Sequence, residues 1–155
     1  MSHNAEDRLQ ALGLTLPDAP NPLANYVPAI ISGNLLFVSG QISRQADGTV
    51  IAGTLGADLT VSEGQSAAKA CALAILAQAK AALGSLEKIE QVIKLTGIVA
   101  CTPEFHEQPQ VINGASDLFV AVLGERGRHT RAAVGTVSLP AGAAVEIEAI
   151  FTVRP

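Results

Sequence analysis

The sequence predicts an α+β fold: one mixed β-sheet with two helices packed on one face, preceded by a short N-terminal helix. Three observations carry this expectation. Val145, Ile147, Ala149, Phe151 and Val153 alternate with Glu146 and Glu148, the period of a half-buried strand. Two stretches of helical spacing, Ser62 to Leu83 and about Pro109 to Leu123, are separated by a single strand candidate, which favours two helices on the same side of one sheet. Apolar residues make up 48% of the chain but aromatics only 3%, with no Trp, so the core must be Ala, Val, Leu and Ile at close approach. The other sheet face must be solvated or covered, and small apolar residues there favour covering by sister subunits.

In chain order, Ala5 to Leu12 is an expected short helix with Leu9 and Leu12 on one side and Gly13 ending it. Pro17, Pro20 and Pro22 impose an extended connector, because proline donates no amide hydrogen and disfavours helix before it. Tyr26 to Ile31 and Leu35 to Val38 read as strands joined by a Gly33-Asn34 turn. Ser39-Gly40-Gln41 follows, where a glycine lets backbone amides approach a ligand or marks a bulge. Asp47-Gly48 is a second turn signal.

The helix from Ser62 has Thr60 or Ser62 as candidate cap and Gly84 as stop. Its middle is apolar nearly all round, so it is buried on more than one side. Leu86 to Glu90 looks helical and charged, and Val92 to Cys101 is a strand. Val111, Ala115, Leu118, Phe119 and Val122 give the second helix its apolar face, and Pro109 suits its first turn. Gly124 to Gly127 ends it. The stretch from His129 to Gly135 and the alternating strand from Val145 then read as two strands joined by a short turn. The sequence shows no repeat, low-complexity segment or linker, and its 155 residues fit one domain, with 1–21 as N-terminal helix and connector.

Charge and composition exclude several classes. Ten Lys and Arg against fourteen Asp and Glu give a net charge of −4, without the basic cluster that a sequence-independent grip on nucleic acid needs. Cys71 and Cys101 do not form a disulfide framework; as buried free thiols they suit a reducing compartment. The N-terminus lacks a signal peptide's basic start and apolar run. The Ala-rich stretch from Ala67 to Leu83 is interrupted by Lys69, Gln78 and Lys80, so no membrane span is expected. The expected location is the cytoplasm. His3, His106 and His129 lack ligand spacing and no phosphate-binding or dinucleotide glycine pattern occurs, so neither metal nor organic cofactor is expected. His129 as a general base competes with a plain exposed loop histidine.

The C-terminal stretch carries a family resemblance. Thr130-Arg131, then Leu139-Pro140, then Val145-Glu146-Ile147-Glu148-Ala149-Ile150 resembles the signature of the reactive intermediate deaminases, RidA or YjgF. Asn25-Tyr26-Val27-Pro28 and Gly33-Asn34 with Ser39-Gly40-Gln41-Ile42 resemble further family motifs, and Asn113 falls on its helix asparagine. The resemblance spans about Pro22 to Val153 and implies the chorismate mutase-like RidA fold. Phe105, Gln108-Pro109, Val111, Asn113-Gly114-Ala115-Ser116 and Gly127-Arg128-His129-Thr130-Arg131 resemble a longer, less characterised branch. Ala133 stands where the deaminase branch carries a cysteine.

The resemblance implies hydrolysis of 2-enamine and 2-imine acids to 2-keto acids and ammonia. Arg131 would hold the substrate carboxylate, since a planar guanidinium matches it with two parallel hydrogen bonds. Glu146 would activate water; Gly40 and Ser39 would offer the backbone near the substrate, and Tyr26 and Asn113 would shape the cleft. Taken alone, Arg131 reads as a surface arginine and Glu146 with Glu148 as a solvated strand face; the joint match reverses both readings. The implied assembly is a homotrimer with clefts between subunits, Arg131 and Glu146 coming from one subunit and some of Tyr26, Gly40 and Asn113 from its neighbour. If the two C-terminal strands are neighbours, Arg131 must pair opposite an even-numbered residue such as Thr152 to share the face of Glu146. The alternatives are a non-catalytic module binding a small carboxylate metabolite and, more weakly, an endoribonuclease, a label some family members carry.

Overall fold

The computed structural model describes residues 4–19, 21, 22 and 24–154. His3 and Pro20 lie outside the described residues. The sheet is mixed and five-stranded, built from β1 (Ala29–Ser32), β2 (Leu35–Ile42), β3 (Ile89–Ala100), β4 (Thr130–Thr136) and β5 (Val145–Val153), in the order β1-β2-β5-β3-β4. All neighbours are antiparallel except β3 and β4, which run parallel. The helices are α1 (Ala5–Ala11), α2 (Val61–Leu83) and α3 (Gln108–Leu123). The α+β architecture with two long helices on one sheet face is the one the sequence predicts.

Local chemistry sets the boundaries. Asn4 caps α1, its side chain accepting from the Asp7 amide at 2.8 Å, and Gly13 leaves at φ 69°. Leu9 is buried, but Leu12 is 49% exposed, because it is the capping residue and has already turned out of the packed side. Thr60 and Glu63 form a reciprocal capping box at the start of α2. Gly84 ends α2 in the left-handed conformation, where a Cβ would be strained. Leu86–Lys88 forms only a 3-10 turn before β3, which begins at Ile89, three residues earlier than the hydropathy pattern suggests.

One core cluster joins both layers: Ala67, Cys71, Ile75 and Leu76 of α2 and Ile112, Ala115 and Phe119 of α3 meet Leu36, Leu95, Ile147 and Phe151 of the sheet. Close approach replaces bulk. A Cβ on Gly114 would strike the Gln65 backbone where α2 crosses α3. By length and composition α2 could span a bilayer, yet 56% of its apolar window is buried inside the protein. Cys71 and Cys101 are both free; burial, and secondarily the negative charge of Glu146, pushes the Cys71 thiol far up, leaving it inert.

The C-terminal strands are where the sequence reading fails. They are not a hairpin. β3 lies between them, pairing with β4 on one side and β5 on the other. The connection, residues 137–144, contains a 3-10 turn at Pro140–Gly142 and meets the end of β3, where the Ala100 amide donates to the Ala144 carbonyl, instead of turning back tightly. By contrast the Gly33-Asn34 hairpin forms as expected, and the bulge at Ser39-Gly40 appears as a register shift between Val38 and Gln41.

Candidate functional site

The candidate site residues fall into two groups. The first lies where α3 packs on the edge strand β4. Arg131 pairs with Leu95, a buried residue facing the helices, so Arg131 projects toward α3. Its Nη1 donates to Ser116 Oγ at 3.1 Å and its Nη2 to the Pro109 carbonyl at 3.3 Å. Both acceptors are neutral, and among the described residues Arg131 forms no ion pair. Asn113, Ser116, Asp117, Arg128, His129 and Arg131 line an open cleft of about 260 Å³ here. His129 is held by the Gly127 carbonyl at 2.6 Å and by Ser116 at 2.9 Å, and burial, with Arg131 adding to it, lowers its pKa.

The second group lies on the opposite sheet face. Glu146 pairs with Ile42 of β2 and Ile98 of β3, and its carboxylate packs so tightly over Gly40 that a Cβ there would collide with it. Burial, and then the neighbouring Glu148 charge, raises the Glu146 pKa. Ser39 ties down the segment carrying Tyr26: its hydroxyl donates to the Val27 carbonyl at 2.8 Å and its amide to Pro28 at 2.9 Å. Tyr26, Phe37, Ser39, Lys94, Glu148 and Ile150 line a cleft of about 430 Å³. Among the described residues no three of His, Cys, Asp and Glu converge as metal ligands would.

A family model described as "YjgF/chorismate mutase-like, putative endoribonuclease" matches residues 6–149. The chain belongs to the YjgF/RidA family. It is 52% identical over 143 residues to protein TCP17 of Trypanosoma cruzi, covering 92% of this chain and 89% of that protein. It is similar to the crystal structure of Atu1372 from Agrobacterium tumefaciens, a protein of unknown function, at 56% identity and TM-score 0.90, covering 97% and 94% of the two chains. At 27% identity and TM-score 0.60 it resembles E. coli TdcF with bound serine, over 88% and 94% of the chains.

The geometry corrects one expectation about this YjgF/RidA chain: its Arg131 and Glu146 do not form one site within a subunit. Register runs from Arg131 to Leu95 and from Leu95 to Ala149. Arg131 therefore shares the face of odd-numbered Ala149, and Glu146 occupies the other face. One strand intervenes, a lateral step of roughly 10 Å between β4 and β5. Arg131 lies with Asn113 at the first cleft; Glu146 sits against Gly40 on the other face, where Tyr26 and Ser39 line the second cleft with Glu148 rather than Glu146. Ala133, two residues beyond Arg131, packs against the core.

Sequence reading missed the Ser116–His129 hydrogen bond and the place of Lys94 on the second cleft. Asn113 and Ser116 stand three residues apart on α3, one shared polar edge of an otherwise apolar helix. That spacing was the available signal for Ser116. Nothing in the sequence marks Lys94 beyond strand alternation.

Proposed function

We propose that this chain hydrolyses 2-imino and 2-enamino acids to 2-keto acids and ammonia, at a cleft closed between subunits of a homotrimer. The observation that carries the reading is Arg131: a half-buried guanidinium, held on neutral acceptors and without a carboxylate partner among the described residues. Such a group is ready to take an acid ligand with two parallel hydrogen bonds. Serine on E. coli TdcF is a small ligand bearing a carboxylate, in keeping with that role.

The opposite-face arrangement supports a site made by two subunits, Arg131 and Asn113 from one, Glu146, Tyr26, Ser39 and Gly40 from the next. The outer sheet face suits burial between subunits, since Ile30, Phe37 and Val134 are 57%, 39% and 48% exposed, more apolar surface than a solvated sheet face needs. Sedimentation of a monomer that retains activity would overturn this assembly.

The chemistry follows from the groups. Arg131 holds the substrate carboxylate. Glu146 takes a proton from water as its oxygen bonds to the imine carbon, giving a carbinolamine. That proton passes to nitrogen, and the hydroxyl proton then follows it through Glu146 as the C=O bond forms and the C–N bond breaks, its electron pair leaving on ammonia, so that the keto acid remains. An enamine substrate first becomes the imine, its β-carbon gaining a proton from water as its nitrogen gives one up. A carboxylate whose pKa lies above the ordinary range is a better base for this work.

The test is a coupled assay. An amino-acid oxidase generates 2-imino acids, semicarbazide traps whatever imine survives, and wild type is compared with Arg131→Ala and Glu146→Ala. Trapped product should fall with wild type alone. No effect on small, branched or aromatic imines overturns the deaminase reading; if 2-keto acids still raise the melting temperature, the chain is a binding module using the same arginine. The family description carries an endoribonuclease label, but one Tyr, no Trp and a net charge of −4 make a poor platform for RNA.

A further inference from the structure

The Arg131 half-site contains a hydrogen-bond chain whose every direction is fixed. The Gly127 carbonyl can only accept, so the His129 Nδ1 at 2.6 Å carries the hydrogen. The neutral imidazole then has a bare Nε2, which accepts the one hydroxyl proton of Ser116 at 2.9 Å. With its proton committed, the Ser116 oxygen turns its lone pairs to the Arg131 Nη1 at 3.1 Å. The Pro109 carbonyl receives Nη2 at 3.3 Å. The ring itself is held edge-on against Phe119, centroids 6.1 Å apart. Burial and the Arg131 charge both favour the neutral imidazole, the state that the chain requires.

We infer that Ser116 and His129 are positioning residues that fix the Arg131 guanidinium for a carboxylate. The inference rests on Arg131 being the acid-binding group of the proposed site. An unbraced arginine samples many rotamers, and freezing them on binding opposes affinity. Here two of the five guanidinium N–H groups are anchored to the helix, and the other three meet no acceptor among the described residues, leaving them for the ligand. With Nδ1 engaged by Gly127 and Nε2 by Ser116, His129 acts by dictating which way the Ser116 proton points. Alanine in place of Ser116 removes the anchor. Loss of the imidazole frees the hydroxyl proton to rotate toward Arg131, opposing the guanidinium it now supports.

The test uses the intact protein and 2-oxobutyrate, with 2-oxobutanamide as an uncharged control. By calorimetry, Arg131→Ala should abolish 2-oxobutyrate binding. Ser116→Ala and His129→Asn should each weaken it about tenfold, the size of one lost hydrogen bond to a charged group, while leaving the amide unchanged. Ser116→Thr, which keeps the hydroxyl, should restore most of the loss. A general structural defect would weaken both ligands alike. Independently, ¹⁵N-resolved NMR of wild type should show His129 as the Nδ1–H tautomer. An Nε2–H tautomer, or Ser116→Ala binding the keto acid as wild type does while Arg131→Ala does not, overturns the inference and leaves the acid site standing. If wild type binds no 2-oxobutyrate, the acid-site reading fails and this inference with it.

Discussion

Arg131 and Glu146 project from opposite faces of one sheet, separated by β3. No side-chain movement brings them together within a subunit, because a strand's facing is set by its hydrogen-bonded register. A site using both needs two chains. Arg131→Ala and Glu146→Gln, each inactive alone, should therefore complement one another when reassembled together. With random mixing in equal amounts, about a quarter of the clefts in a cyclic oligomer pair an intact Arg131 half with an intact Glu146 half. Imine hydrolysis by the mixture should reach about that fraction of wild type. Zero recovery from verified mixed oligomers would mean that no cleft uses both residues.

On the proposed reaction, Glu146 should set the acid limit. Burial and Glu148 raise its pKa above the ordinary 4.5, and as a base it must be ionised, so the rate should begin to fall with acid at a pH above 4.5. Glu146→Gln should remove that limb and lower the rate about 10²- to 10⁴-fold. Stability carries the opposite sign. A carboxylate whose folded pKa is raised costs stability above that pKa, and the cost disappears below the unfolded value. Glu146→Gln should thus stabilise the fold at pH 7, and the gain should vanish as the pH falls below 4.5. Parallel rate and denaturation profiles check both signs.

Gly40 separates fold from function. A Cβ at this position collides with the Glu146 carboxylate, the movable end of a side chain and not backbone. The fold should accommodate Gly40→Ala by swinging Glu146 aside, which on the proposed reaction would take the carboxylate from the water it activates. We expect activity to fall at least about tenfold, since misplacement by an ångström is costly to catalysis, with a change in stability under about 1 kcal/mol. A fully active Gly40→Ala enzyme would separate Glu146 from the reaction.

The helices and the first hairpin were legible because their signals are local. Thr60 with Glu63, Gly84, and Gly33-Asn34 each specify a boundary within a few residues. The alternation from Val145 to Val153 named the face of every residue on β5 correctly. What no local signal carries is which strand sits beside it. The insertion of β3 between β4 and β5 is fixed by long-range burial: Leu95 must lie under the helices with Ala149 and Arg131 on either side. The family resemblance therefore pointed to Arg131 and Glu146 but not to their opposition. Ser116 and His129, thirteen residues apart, meet only because α3 packs back on β4.

Gly114 tests whether close helix approach holds a core whose aromatic residues are Phe105, Phe119 and Phe151 among the described residues. In a helix interior, replacing glycine by alanine ordinarily gains up to about 1 kcal/mol. At Gly114 the new methyl would run into the Gln65 backbone, which cannot swing away as a side chain can. α2 and α3 would have to separate, loosening Ile112 and Ala115, both fully buried. Overpacking of this kind costs about 1–3 kcal/mol, so it outweighs the propensity gain and Gly114→Ala should be net destabilising by up to about 2 kcal/mol. Urea unfolding measures it: a lowered midpoint with unchanged slope supports the close contact, whereas a raised midpoint would mean that the helices have room to spare and that propensity decides.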